Sequence, residues 1–473
     1  MQPSLVTKFC WIFTFAVFCA LLLPVLFQQG MFLDGITYAT ISKNLANGLG
    51  SIWSPHYTAT LFPEFYEHPP LVFYIQSLFF RVFGDGMYIE RIYTFFTALI
   101  SLMGIVLNWR LFTKSTPYYH HSWLPVLLWI ATPVVFWSYQ SNMLENTLAA
   151  MCLFAVYFLT KYMIQNHYIS LLIGSLFIFL AFLTKGPVGL FPLATIPLLW
   201  ITTQATSFGK AVWNSLLVLV FTLLIYGIAH ALNPEITHHL TLYLKAQVMP
   251  SIEGSRENTT GNHFAILGRL VLELIAPMVL LLLSLLIAKR KRFQANFPFK
   301  KEGLFFLCIG LAASLPLTIT LKQRGYYLVT ALPYFILGIS ILLVILVLPL
   351  VEKIRTGVQK KLWMGSIVVL IGTLLFSVMQ RGKFSRDEQK IKDVIQLVAH
   401  IPPNTTIAAH ATLTTEWGTV AYLARMGNIS LSADLDHVFL LLPKNEMLPE
   451  DQLKQYTPVP LHLTTYQLYR KHD

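Results

Sequence analysis

The chain has 473 residues, 55% of them hydrophobic and only 12% charged, with a mean hydropathy of +0.60. A soluble domain carries about one-quarter charged residues, so this composition excludes an ordinary soluble protein and implies an integral membrane one. The net charge of +12 sits in short connections between apolar runs, a pattern of membrane topology rather than of nucleic-acid binding.

A spanning helix takes about 20 mostly apolar residues. Runs of that kind lie at 9–27, 87–112, 123–139, 146–163, 168–184, 186–203, 211–230, 264–288, 304–321, 326–351 and 362–378, which predicts about eleven spans. The first run is longer than a signal-peptide core and no small-x-small cleavage site follows it, so it reads as a retained helix. Cys10, Cys19, Cys152 and Cys308 all fall inside apolar stretches without metal-ligand spacing and read as small buried hydrophobes.

Positively charged loops are retained in the cytoplasm. Setting "AKRKRFQANFPFKK" from Ala288 inside places Lys8, "NWRLFTK", Lys161, Lys210 and "VEKIRTGVQKK" inside as well. The N-terminus is then cytoplasmic. The other face receives 28–86, the turns at Ser141 and Lys185, 231–263, the turn "LKQRGYY" and the C-terminus. From Gln380 the composition turns polar, and helix-like "EQKIKDVIQLVAHIP" and "TEWGTVAYLARMG" alternate with strand-like "TTIAAHA", "HVFLLLP" and "TTYQLYR". The expected organisation is a mainly α, polytopic helical bundle over 1–379, with a first outer loop at about 28–86, and a small α/β extracytoplasmic domain over 380–473.

Polar residues beside a membrane are costly, which makes those of the outer loops the functional candidates. In "MFLDGITYATISKNLANG", Asp34 follows the first span, and the plain reading is a cap for a short amphipathic helix over 37–45 lying along the interface. In "FYEHPPLVFYIQSLFF", Pro69 and Pro70 can open a helix, so Glu67 and His68 stand beside an anion-favouring helix start. Glu145 in "YQSNMLENTL" opens another helix. In "LAFLTKGPVGLFPLA", Lys185 either snorkels to the surface or anchors a phosphate. Lys322, Arg324, Tyr326 and Tyr327 share one outer turn, against the positive-inside tendency.

Together these candidates comprise three carboxylates, Asp34, Glu67 and Glu145, and three cations, Lys185, Lys322 and Arg324. Cations can neutralise charge on a departing phosphate, and a carboxylate can take a proton from an attacking hydroxyl. A transporter or flippase of lipid-linked precursors would use the same groups to carry a head group. Transporters place charges near the bilayer midplane and often show inverted halves, whereas these charges fall in loops and no internal repeat is visible. A non-catalytic envelope scaffold would leave the charged set without a role.

The order of motifs resembles the lipid-linked-sugar glycosyltransferases of the GT-C type, in particular the aminoarabinose transferase and protein mannosyltransferase superfamily, over Asp34 to Pro333. It rests on Asp34 with Tyr38, "EHPPL", Glu145, "LAFLTKGPVGL" and "YYLVTALP". The resemblance implies a bundle of about eleven to thirteen spans in a bacterial inner membrane. It also implies a polyprenyl-phosphate sugar donor, a lipid, glycan or protein acceptor, and inverting transfer on the periplasmic face. Asp34 matches the first-loop catalytic acid, Glu67 a cavity acid and Glu145 a further one. Lys185, Lys322, Arg324, Tyr326 and Tyr327, with Tyr38 and His68, would face the donor. His263, in "GNHFAILGRLVLELIAP", falls where a relative's histidine shares a divalent metal with the acid matching Glu67. Two departures stand out. Asp34 is followed by Gly35 rather than by a second acid, and His68 replaces a lysine before the two prolines, which substitutes a group that titrates near neutrality for a permanent cation.

Overall fold

The structure, a computed structural model, describes residues 4–114, 116–290, 300–446, 449 and 453–472. Part of the basic loop that set the expected orientation, 291–299, lies outside the described residues. In chain order, α1 (Leu5–Leu26) is followed by α2 (Leu33–Ala46), α3 (Leu71–Phe83) and α4 (Ile89–Thr113). Next come α5 (Trp123–Ile130), α6 (Pro133–Gln140), α7 (Leu144–Gln165), α8 (Tyr168–Lys185), α9 (Thr195–Thr203) and α10 (Phe208–Leu232). Then follow α11 (Glu235–Tyr243), α12 (Met249–Ile252), α13 (Ala265–Arg290), α14 (Lys300–Ser314), α15 (Leu332–Glu352) and α16 (Thr356–Val378). Among the described residues nine helical segments are long and apolar enough to cross a membrane, or ten with one bent pair. The chain is a multi-pass membrane protein.

The count falls short of eleven for two physical reasons. The apolar run at 123–139 is broken before Pro133, whose ring and missing amide end the preceding helix, and the segments on either side are bent by 78°. The runs flanking Lys185 form one 36-residue segment, Tyr168–Thr203, in which a 3-10 stretch, Gly186–Ala194, joins α8 to α9. Gly186 takes φ +67° there, and a Cβ on Gly189 would stand 2.5 Å from the Ala181 carbonyl. The glycines therefore let the stretch fold against α8 at backbone distance.

By internal packing the chain divides into two compact units. The first comprises Met1–Pro24, Glu67–Pro69 and Thr94–Met379. Its core is where α7, α8, α9 and α10 meet, on Leu159, Leu171, Ile178, Ile196 and Val218. Helix α15 is buried along most of its length, whereas α10 and α16 expose apolar residues such as Leu223, Val368 and Leu375, as helices facing hydrocarbon do.

The second unit comprises Val25–Tyr66, Pro70–Tyr93 and Gln380–Asp473. Here α17 (Glu388–His400), α18 (Ala411–Thr415) and α19 (Trp417–Gly427) accompany a five-stranded sheet. Its strands are β1 (Thr406–Ala409), β2 (Ser430–Ser432), β3 (Phe439–Pro443), β4 (Tyr456–Pro458) and β5 (Tyr466–Lys471), in the order β2-β1-β3-β5-β4. β2, β1 and β3 run parallel, with Ile407 opposite Leu431 and Ala408 opposite Leu440, and β5 pairs antiparallel to β3. The expected α/β region is present. It shares its compact unit with the first long loop rather than being cut off at 379. Gln29 donates to the Lys383 carbonyl at 2.7 Å, Thr60 Oγ1 to the Leu431 carbonyl at 2.7 Å, and the rings of Tyr57 and Trp417 lie 6.3 Å apart. The helix expected along the interface at 37–45 is instead buried on all faces, Lys43 and Asn44 included, because α2 packs against α3 and α19.

Candidate functional site

Within the first unit, α7 opens at Leu144, so Glu145 sits in its first turn, where the helix dipole favours an acid. The side chain is buried. The left-handed Gly186 ends α8 at Lys185, whose ammonium pairs with Glu145 Oε1. The other carboxylate oxygen, Oε2, is enclosed and accepts no hydrogen bond among the described residues. Two rings complete the surroundings of Lys185: its Nζ lies 4.4 Å from the Tyr327 centroid and 5.9 Å from that of Tyr326, distances at which a cation is attracted by the ring face. Tyr326 stacks on Trp137 at 5.8 Å. The Tyr243 hydroxyl donates to the Lys185 carbonyl at 3.1 Å, and a Cβ on Gly186 would stand 2.5 Å from the Tyr243 ring.

A second group surrounds Glu67. Gln247 Nε2 donates to Glu67 Oε1 at 2.7 Å, and the Arg256 guanidinium lies 3.8 Å from the same oxygen. The His68 carbonyl accepts from His239 Nε2 at 3.0 Å. Arg324 faces Glu257 at 3.9 Å, while Lys322 makes no ion pair among the described residues. Buried Gln323 holds these loops together: its Nε2 donates to the His263 and Thr320 carbonyls at 2.6 and 2.9 Å, its Oε1 accepts from the Ile266 amide at 2.8 Å, and Thr259 donates to its carbonyl at 2.8 Å. That knot sets Arg256 and Glu257 beside Lys322 and Arg324.

The field in this group is positive. Burial, then Lys185, Arg256 and Lys322, hold the His68 imidazole well below its ordinary value. The residue is partly exposed, but its Nδ1 is enclosed, and the ring is the part that titrates. His68 is therefore neutral at physiological pH and does not titrate near neutrality as its type suggested. Burial and Arg256 likewise lower Lys322, against the pull of Glu67 and Glu257.

Of the residues singled out in the sequence, the first unit holds Glu67, His68, Glu145, Lys185, Lys322, Arg324, Tyr326 and Tyr327. Asp34 and Tyr38 lie on α2 of the second unit, Asp34 half-buried in the first turn and Tyr38 buried with its ring 5.9 Å from Phe73. His263 donates through Nδ1 to the Thr318 carbonyl at 2.8 Å. Among the described residues no group of three or more His, Cys, Asp or Glu is arranged to hold a metal, and Glu67 is already engaged by Gln247 and Arg256. Among the described residues the Glu67 and His263 pair thus lacks the further His, Cys, Asp or Glu ligands that a zinc-type site uses.

Sequence reasoning missed Arg256, Gln247 and Gln323. Arg256 carried a usable signal, since it is a cation in a loop, 231–263, that the charge rule had set on the same side as Lys322. Nothing local marks the two glutamines, whose roles come from loops that meet only in the fold.

Residues 67–230 match the family model of the dolichyl-phosphate-mannose-protein mannosyltransferases. In crystal structures, ArnT from Cupriavidus metallidurans bound to undecaprenyl phosphate matches with a TM-score of 0.64 at 15% identity, over 97% of each chain. Its apo state gives 0.63 at 15%, over 97% of this chain and 96% of that one. The chain has a GT-C-type fold. The GT-C match extends to the oligosaccharyltransferase of Archaeoglobus fulgidus in the apo form, with a TM-score of 0.50 at 12% identity, over 89% of this chain and 64% of that larger one. A comparison with curated protein sequences gives no match. The family expected from the motif order and the GT-C fold thus agree.

Proposed function

We propose that the chain is a glycosyltransferase moving a sugar from a polyprenyl-phosphate carrier to a hydroxyl or phosphate of an envelope lipid, glycan or protein, on the periplasmic face of a bacterial inner membrane. The observation that carries this reading is the positive group around Glu67 and His68, in a chain whose fold matches that of ArnT crystallised with undecaprenyl phosphate. Lys322 and Arg324 supply the cations for the donor phosphate. Lys185 supports them from the ring-walled position that Glu145 fixes.

In the reaction, the acceptor oxygen attacks the anomeric carbon, the bond from that carbon to the phosphate oxygen breaks, and configuration inverts. The leaving polyprenyl phosphate gains negative charge that preorganised cations stabilise. Phosphate is a good leaving group, so no general acid is required. The acceptor proton passes to a carboxylate, for which Asp34 is the proposed base on its place after the first span and its motif match. Wild-type transfer by a normally expressed Asp34→Asn protein would remove it from the mechanism.

The test of the whole reading is mass spectrometry of envelope lipids and glycans from cells with and without the protein. Loss of one glycosylated species with accumulation of the sugar carrier supports transfer and names the acceptor. Carrier stranded on the inner leaflet, with donor synthesis intact, supports the transporter instead.

A further inference from the structure

The acid that would be expected to share a metal has a different partner in this chain. Glu67 Oε1 accepts a hydrogen bond from Gln247 at 2.7 Å and faces the Arg256 guanidinium at 3.8 Å. Arg256 is not a chance surface contact. Its side chain is about as enclosed as that of Glu67, at 26% and 27% exposure, and the segment that carries it is tied down by Thr259, which bonds to both the carbonyl and the amide of Gln323. The other groups facing Glu67 add no ligand. Gln247 approaches through its amide nitrogen, a donor that cannot bind a cation, and Lys322 brings a further positive charge. His263, the second expected ligand, donates through Nδ1 to the Thr318 carbonyl, which leaves its Nε2 as the one ring nitrogen able to bind a metal, and among the described residues no third His, Cys, Asp or Glu joins it and Glu67.

We propose that Arg256 takes the place of a bound divalent cation at Glu67, and that this site works without metal. A metal ion in such a site supplies fixed positive charge that orients a carboxylate and neutralises a nearby phosphate. A guanidinium supplies the charge and several donors in a planar fork suited to phosphate, and it requires no three-ligand cage. A dication entering beside Arg256 and Lys322 would meet like charges and a carboxylate already in use. Arg256 then holds Glu67 on one side and offers its remaining N–H groups to the donor phosphate, which rests on the transferase reading above.

The test uses the purified full-length protein in lipid nanodiscs. Metal content is measured after dialysis, zinc and manganese are each titrated calorimetrically, and undecaprenyl phosphate binding is measured with and without chelator. The proposal expects no retained metal, no saturable metal binding that Glu67→Gln removes, and lipid-phosphate binding unchanged by chelator. It further expects Arg256→Gln to weaken that binding about tenfold and Arg256→Lys to recover part of it, as follows for a charge-assisted contact worth about 1.4 kcal/mol. A retained metal, or a saturable zinc or manganese site lost in Glu67→Gln, overturns the proposal. If the wild-type protein binds no undecaprenyl phosphate under either condition, the donor reading fails, and the metal titration still decides between guanidinium and dication.

Discussion

Each unit contains a cluster of charged side chains, and the two are built differently. In the second unit, Lys43, Asp85, Glu90, Arg91 and Arg425 form a closed network. Lys43 reaches Asp85 at 3.0 Å, Arg425 reaches Asp85 at 2.8 Å and Glu90 at 3.0 Å, and Arg91 reaches Glu90 at 3.0 Å. Most leftover donors go to main-chain carbonyls: Arg91 to Gln28, Met87 and Gly30, Lys43 to Arg425, and Arg425 to Gly86; of the network's enclosed side-chain atoms, only the buried Nε of Arg425 makes no hydrogen bond among the described residues. In the first unit the contacts from Arg256 to Glu67 and from Arg324 to Glu257 are 3.8 and 3.9 Å, too long for hydrogen bonds, and Lys322 has no ion-pair partner among the described residues. A nearly saturated network joins distant segments of chain. An unsaturated one leaves positive charge for something else to meet.

The comparison breaks if the second unit's network proves dispensable. Arg425→Met leaves Glu90 buried with half its partners gone, and removing one member of a buried pair costs about 3–5 kcal/mol. Thermal unfolding in detergent should show that loss, with earlier proteolytic release of the segment after Gln380. A stability within error of wild type would reduce the network to a surface feature.

The Glu145 and Lys185 pair sharpens the contrast, because it is buried as the second unit's network is but lies in the first. Lys185→Met strands the Glu145 carboxylate and should cost about 3 kcal/mol, most of it recovered in the double variant Lys185→Met with Glu145→Leu. The recovered protein should still fail to transfer sugar. Recovery of both stability and activity would make the pair purely structural.

Smaller still is Gly186→Ala, which forces a residue with Cβ into φ +67° against the Tyr243 ring. The expected cost is about 1–3 kcal/mol, read as a lower midpoint of thermal unfolding. The smallest effect concerns His68. Its folded value lies below its unfolded one, so its contribution to stability is complete above the unfolded value and is lost as pH falls below it. Stability should decline on acidification below about pH 6.5, less so in His68→Gln. The pH profile of activity between about pH 7 and 8 should be the same in both proteins.

How far the sequence could be read differs between the units. Spans were legible because hydrocarbon imposes an apolar length, and Glu145, Lys185, Tyr326 and Tyr327 stood out because charge and phenol are costly within apolar surroundings. The break before Pro133 was hidden inside an unbroken apolar run. The second unit's assembly was not legible at all: Lys43 and Arg425 are 382 residues apart, and periodicity carries no information about which distant segment covers a helix. For the same reason α2 looked like an interfacial helix, since Lys43 and the Asn44 amide nitrogen find their partners only on segments that the fold brings to it.

The most direct test of the central claim compares one lysine from each cluster. Undecaprenyl phosphate binding and thermal stability are measured together for Lys322→Met and Lys43→Met. The account predicts that Lys322→Met weakens binding about tenfold with stability nearly unchanged, and that Lys43→Met lowers stability while the folded protein binds as wild type does. Unchanged binding in Lys322→Met, with the loss of stability falling there instead, would contradict it.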